Sequence, residues 1–205
     1  MKAVIFDFGN VLVDWDPYLA VAHLMTRQQW DEFVDEANFE LFLQRTDAGA
    51  DFDEELQRLA RRSPQWGWIV PEYYRCFAAT IAGEIPYMET LITQIKDAGI
   101  HCYGLTNWPA ATVAFSAGVP GVRLMEDVVV SGYERIAKPD HEIYRRALQR
   151  FGLNAAEAVF IDDKPENVQA AKEVGMDGFV FYDAVDAANQ LRARGLPLRF
   201  GMHNH

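Results

Sequence analysis

Five short apolar runs recur along the chain: AVIF at 3–6, HCYGL at 101–105, DVVV at 127–130, AVFI at 158–161 and FVFY at 179–182. Runs this short, with little polar alternation, suit strands covered on both faces, as in a parallel sheet flanked by helices. Helical patterns lie between most of them. One gathers Met88, Leu91, Ile92 and Ile95 and stops at Gly99; another opens at Pro139 and Asp140, gathers Ile143, Ala147 and Leu148 and stops near Gly152. A third follows Pro165, carries Val168, Ala171 and Val174 and stops at Gly175. Glycine after the last apolar position and proline at the start are the expected helix punctuation. Strand alternating with helix predicts an α/β fold on a parallel sheet with right-handed crossovers.

Residues 17–84 interrupt this rhythm with helical patterns and no convincing strand. Four of the five tryptophans fall in or beside them, and Asp51 with Glu54 forms an N-cap and N3 pair ahead of Leu56 and Leu59. The expected division is a core of residues 1–16 and 85–205 with a helical lobe, 17–84, inserted after the first strand. A chain of 205 residues, half of them hydrophobic, can bury one such core with a modest second lobe. The tail from Gly195 to His205 reads as a poorly ordered end.

Thirty acidic residues against nineteen basic ones give a formal charge of −11, which argues against nucleic acid and anionic membrane as partners. A small phosphorylated molecule stays possible where local cations overcome that field. Cys76 and Cys102 lie in unrelated segments, without metal-ligand spacing, and read as reduced thiols. The opening MKAVIFDFG breaks at Asp7, too early for a secretory signal, and no stretch approaches 18 uncharged apolar residues. The expectation is a cytoplasmic protein, monomer or homodimer.

Ligands of open parallel sheets sit beyond the carboxyl ends of the strands. There the sequence places Asp7-Phe8-Gly9-Asn10 after the first run, Thr106-Asn107 after the second and Asp162-Asp163 after the fourth, with Lys138 ahead of the helix leading to that fourth run. Carboxylates suit a hard cation such as Mg²⁺, with Mn²⁺ equally acceptable; a hydroxyl, backbone N–H groups and a lysine suit a phosphate.

In this order, FDFGNVL, LTN, AKPD and IDDKPENV resemble the four motifs of the haloacid dehalogenase-like hydrolase superfamily, over residue 3 to about 182. The first motif is similar to that of the alpha-D-glucose-1-phosphate phosphatase-like group. The resemblance implies a Rossmann-like core with a helical cap and a Mg²⁺-dependent phosphatase. Asp7 would attack phosphorus to form a phospho-aspartate. Asp7, the Gly9 carbonyl and one or both of Asp162 and Asp163 would hold the metal. Thr106, Lys138, Asn107, Asn10 and the N–H groups of Phe8 and Gly9 would bind the phosphoryl group.

Gly9 departs from many phosphatases of this superfamily, which carry there a second aspartate that protonates the leaving oxygen and then activates water. Asp14 and Asp16 are the nearest acids. A sugar-1-phosphate, whose leaving group is more acidic, would depend less on that proton. Trp15, Arg45 and Asp47 are candidates for substrate choice, while His101 reads as a strand residue and His203 and His205 as tail. The rival readings are a 2-haloacid dehalogenase, a phosphomutase and a non-catalytic binding module. The pair Asp162-Asp163 speaks against the first, because a metal-free site would leave adjacent carboxylates unreconciled. Gly9 speaks against the second.

Overall fold

The computed structural model describes residues 1–200. In chain order the elements are β1 (Ala3–Phe6), β2 (Val13–Trp15), α1 (Arg27–Ala37), α2 (Phe39–Asp47), α3 (Phe52–Arg62), α4 (Ile69–Arg75), β3 (Ile81–Glu84) and α5 (Met88–Asp97). There follow β4 (His101–Thr106), α6 (Pro120–Arg123), β5 (Val128–Val130), α7 (Ser131–Glu134), α8 (His141–Phe151), β6 (Ala158–Asp162), α9 (Pro165–Glu173), β7 (Asp177–Val180) and α10 (Ala184–Ala193).

Five strands form one parallel sheet in the order β5–β4–β1–β6–β7. β1 is central and buried at all four positions. Its side chains alternate between two cores. Val4 and Phe6 pack with Leu91 and Ile92 of α5 and Ala187 and Leu191 of α10, whereas Ile5 packs with Ile143 and Ala147 of α8 and Ala171 of α9. Helices on both faces explain why the run shows no polar alternation.

Register aligns the ends of the central strands. Phe6 lies opposite Gly104 of β4 and Ile161 of β6, so Asp7, Thr106 and Asp162 emerge at one edge. Gly104 is required for close approach: a Cβ there would stand 2.6 Å from the ring of Phe8. That ring, 1 % exposed, occupies the gap. The Phe8 carbonyl then accepts from the N–H groups of Val11, Leu12 and Val13, closing a tight turn through Asn10 at φ 58°. Asparagine is among the few residues that accept this left-handed conformation.

The helices between β2 and β3 are individually capped. Thr26 and Gln29 form a capping box on α1, and Asp51 accepts from the Glu54 N–H at the start of α3. Their apolar sides meet in an aromatic cluster in which Phe39 stands 5.3 Å from Trp30 and 5.2 Å from Tyr73, centroid to centroid. This cluster is continuous with the core under Val4 and Phe6.

Three expectations change. Residues 81–84 are a strand, because Val13–Trp15 supplies an antiparallel partner that zips the two ends of the inserted segment together. The last strand spans 177–180, two residues before the FVFY run begins, because Asp177 and Gly178 pair with Val159 and Phe160. The tail is anchored as far as Phe200: Leu196, Leu198 and Phe200 are buried at every second position, and Gln94 accepts from the Arg199 and Phe200 N–H groups. His203 and His205 lie outside the described residues. Among the described residues no helix is long and apolar enough to cross a membrane.

Candidate active site

Asp7 follows β1 directly and is 8 % exposed. Its Oδ1 accepts from the Phe8 N–H at 2.7 Å and faces the Lys138 ammonium at 2.9 Å. Oδ2 has no partner among the described residues. Burial pushes the Asp7 carboxyl up to about 7, with Asp162 and Asp163 adding to the rise and Lys138 opposing it.

Lys138 has a fully buried side chain clamped between two carboxylates, Asp7 and Asp162, the latter at 2.6 Å. Burial works against its charge, but Asp162 and Asp7 outweigh that and hold it above the ordinary lysine value. Its backbone is held as firmly. Asn107 donates Nδ2–H to the Lys138 carbonyl at 3.0 Å and accepts the Lys138 N–H on Oδ1 at 2.8 Å. The Asn107 amide thereby fixes the lysine loop, and its second Nδ2–H is left over for a ligand. The Phe8 N–H is taken by Asp7, which leaves Thr106, Lys138, Asn10, the second Asn107 N–H and the Gly9 N–H as the expected phosphate contacts.

The adjacent acids divide. Asp162, 0 % exposed at the end of β6, is saturated by Lys138 Nζ, the Lys164 N–H and both contacts of Asn167 Nδ2. Asp163 turns outward, half-buried, and accepts from the Asn10 side chain. Burial and the neighbouring Asp162 raise it, and no Lys, Arg or His stands within ion-pair distance among the described residues. Asp7, Asp162 and Asp163 nevertheless offer oxygens within 4.8 Å of one another. Three carboxylates around one paired lysine form a hard-oxygen donor set short of positive charge, which suits a divalent cation. Asp163, beside Asp7, is the donor left without an ion-pair partner among the described residues.

Thr106 ends β4 with its hydroxyl buried and no hydrogen-bond partner among the described residues. An unmet buried hydroxyl costs on the order of 1–3 kcal/mol, which a ligand oxygen would relieve. The Gly9 N–H is also without a backbone acceptor among the described residues.

Asp7, Gly9, Asn10, Lys138 and Asp163 open into a cavity of about 890 Å³ also lined by Trp30, Phe42, Leu43 and Tyr73 of the helices between β2 and β3, and by Trp15 and Trp108. Trp15 and Asp47, both named for substrate choice, line it. Arg45 does not: it is paired with Glu55 on the outside of α2. Asp14 is exposed on β2, and Asp16 caps the next turn while bound to Arg27, whose hydrogen bond holds its carboxyl below the usual range. Neither acid near Gly9 therefore reaches the site.

The comparisons agree with this architecture. Residues 1–175 match the model of the haloacid dehalogenase-like hydrolase family. The chain is 29 % identical to the sesquiterpene phosphatase astK of Aspergillus oryzae, over 93 % of this chain and 95 % of that protein. Its fold resembles a HAD family enzyme of Bacteroides thetaiotaomicron, at TM-score 0.73 and 17 % identity over 94 % of this chain and 98 % of that one. It also resembles the L-2-haloacid dehalogenase of Xanthobacter autotrophicus, at TM-score 0.66 and 17 % identity over 97 % and 85 %. With the parallel sheet and all four motifs at its carboxyl edge, the chain belongs to the haloacid dehalogenase-like hydrolases.

Proposed function

We propose that this protein is a Mg²⁺-dependent phosphatase, acting through a phospho-aspartate on Asp7, whose substrate joins its phosphate to a mainly apolar organic group. The observation that carries the reading is a single cavity with carboxylates and a buried lysine at one end and aromatic rings at the other.

Asp7 is held for attack. Its Oδ1 is fixed by Phe8 N–H and Lys138, leaving Oδ2 to meet phosphorus in line with the leaving oxygen. The Thr106 hydroxyl and Gly9 N–H donate to the phosphoryl oxygens, while Lys138, locked by Asp162 and Asn107, offsets charge without needing to move. Asp7, Asp163 and the Gly9 carbonyl would hold Mg²⁺. When bound, Mg²⁺ would neutralise phosphoryl charge that otherwise repels an attacking carboxylate. A HAD family enzyme of the same fold was crystallised with magnesium and inorganic phosphate.

The dehalogenase reading is weaker on a specific ground. Lys138 reconciles Asp162 with Asp7, so the adjacent pair alone does not demand a metal; what favours one is Asp163, close to both and without an ion-pair partner among the described residues. The cavity wall also moves the substrate class away from a sugar phosphate. Its polar atoms from the aromatic residues are few, Trp15 Nε1, Trp108 Nε1 and Tyr73 Oη, each buried and unpartnered among the described residues. The faces of Trp30, Phe42, Leu43 and Phe52 on this wall suit an apolar body better than a ring of hydroxyls. The similarity to a sesquiterpene phosphatase points the same way.

The test is phosphate release from isoprenyl monophosphates of five, ten and fifteen carbons beside glucose-1-phosphate, with Mg²⁺ and with EDTA. EDTA should abolish release, and kcat/KM should climb at least about tenfold from the shortest to the longest chain. Glucose-1-phosphate outrunning every isoprenyl ester would restore the sugar reading. Leu43→Gln, which keeps length but places an amide on the cavity wall, should lower kcat/KM for the fifteen-carbon ester by about tenfold and leave the five-carbon ester nearly unchanged. Equal losses on both would argue that Leu43 only supports the fold.

A further inference from the structure

We infer that Asp47, presented by the inserted helices, is the general acid and base that Gly9 cannot provide. The inference rests on the phosphatase reading above. It answers a need that reading leaves open, because an apolar alcohol is a poor leaving group and must be protonated as the ester bond breaks.

Space and supply match. A Cβ built at Gly9 meets nothing within 4 Å, so the place where a side-chain acid would stand on the core is open. Asp14 and Asp16 face elsewhere. Asp47 instead ends α2 and lines the cavity that Asp7, Lys138 and Asp163 line from the opposite side. Lys164, Asp7 and Lys138 are the charges that act on it across that cavity.

Asp47 is also costly where it stands. A carboxylate in the last turn of a helix faces the negative end of the macrodipole. This one makes no hydrogen bond among the described residues, and Tyr73, pushed above its ordinary range by burial, feels its charge. Burial lifts Asp47 to about 7, against the pull of Lys164 and Lys138. A group titrating there is protonated often enough to act as an acid and ionised often enough to act as a base at neutral pH.

In the first step Asp7 Oδ2 bonds to phosphorus as the bond from phosphorus to the ester oxygen breaks, and the Asp47 proton passes to that oxygen to release the alcohol. In the second, a water oxygen bonds to the phosphorus of phospho-Asp7 as the bond from phosphorus to Asp7 Oδ2 breaks, while a water proton returns to the Asp47 carboxylate. Inorganic phosphate leaves, and both side chains regain their starting state.

The experiment compares wild type, Asp47→Asn, Gly9→Asp and the double variant on an alkyl phosphate and on p-nitrophenyl phosphate, whose leaving group departs without a proton. Asp47→Asn should lose about 10²–10⁴-fold in kcat/KM on the alkyl ester and little on p-nitrophenyl phosphate. Its nitrophenolate release should show a burst, because water attack on the phosphoenzyme is now slow. Adding Gly9→Asp should restore part of the alkyl activity. Equal loss on both substrates without a burst, or no loss on either, overturns the proposal. A wild type whose hydrolysis of both esters survives Asp7→Asn instead brings down the phosphatase reading, and the role of Asp47 with it.

Discussion

Asp7→Asn should abolish metal-dependent phosphate release, with kcat at least about 10⁴-fold below wild type, in a protein that remains folded. An amide oxygen can replace the carboxylate in accepting from the Phe8 N–H, and Lys138 keeps its second partner, Asp162. What is lost is the anionic Oδ2 that makes the bond to phosphorus. Stability should move in the opposite direction from activity. Asp7 is raised from 3.8 to about 7 on folding, so the native state binds more protons than the unfolded state across that window. Metal-free wild type therefore loses stability as pH rises from 3.8 towards about 7, and a neutral amide escapes that loss. The check is phosphate release and thermal unfolding of both proteins at pH 8 in EDTA, with Mg²⁺ restored for the assay. Activity within about tenfold of wild type would remove Asp7 from the chemistry. Loss of activity together with collapse of the fold would mean that the side chain serves structure first.

The groups that emerge at strand ends were legible because a buried run must stop where chemistry begins: Phe6 to Asp7, Leu105 to Thr106, Ile161 to Asp162. What each neighbour does was not. Asp162 and Asp163 look equivalent in sequence, yet the first ends β6 inward, saturated by Lys138, Asn167 and the Lys164 N–H, and the second turns out. The partner that separates them, Lys138, lies 24 residues earlier. The hold of Asn107 on the lysine loop was hidden for the same reason, since its amide binds backbone 31 residues away. β3 could not be seen because IAGE pairs only once β2 is beside it. Asp47 was named only for substrate choice, because the end of α2, where an acid opposes the dipole, is set by the fold.

The buried clamp around Lys138 should produce the largest effect on stability. Lys138→Met keeps the shape of the stem and gains an apolar burial worth about 1–2 kcal/mol, but it leaves Asp162, 0 % exposed, and Asp7 facing each other without a cation. Removing one partner of a buried ionic cluster costs on the order of 3–5 kcal/mol, so the loss outweighs the gain and the variant should be strongly destabilised and inactive. Asp162→Asn on the same background should return part of the stability, because the amide still accepts from the Lys164 N–H and no longer repels Asp7. It should return no activity, since nothing then offsets phosphoryl charge. Urea unfolding of the two single variants and the double variant gives the coupling directly, expected at about 1–3 kcal/mol in favour of the double. Additive losses would show that Lys138 and Asp162 act separately, and the clamp would then be a contact without energetic consequence.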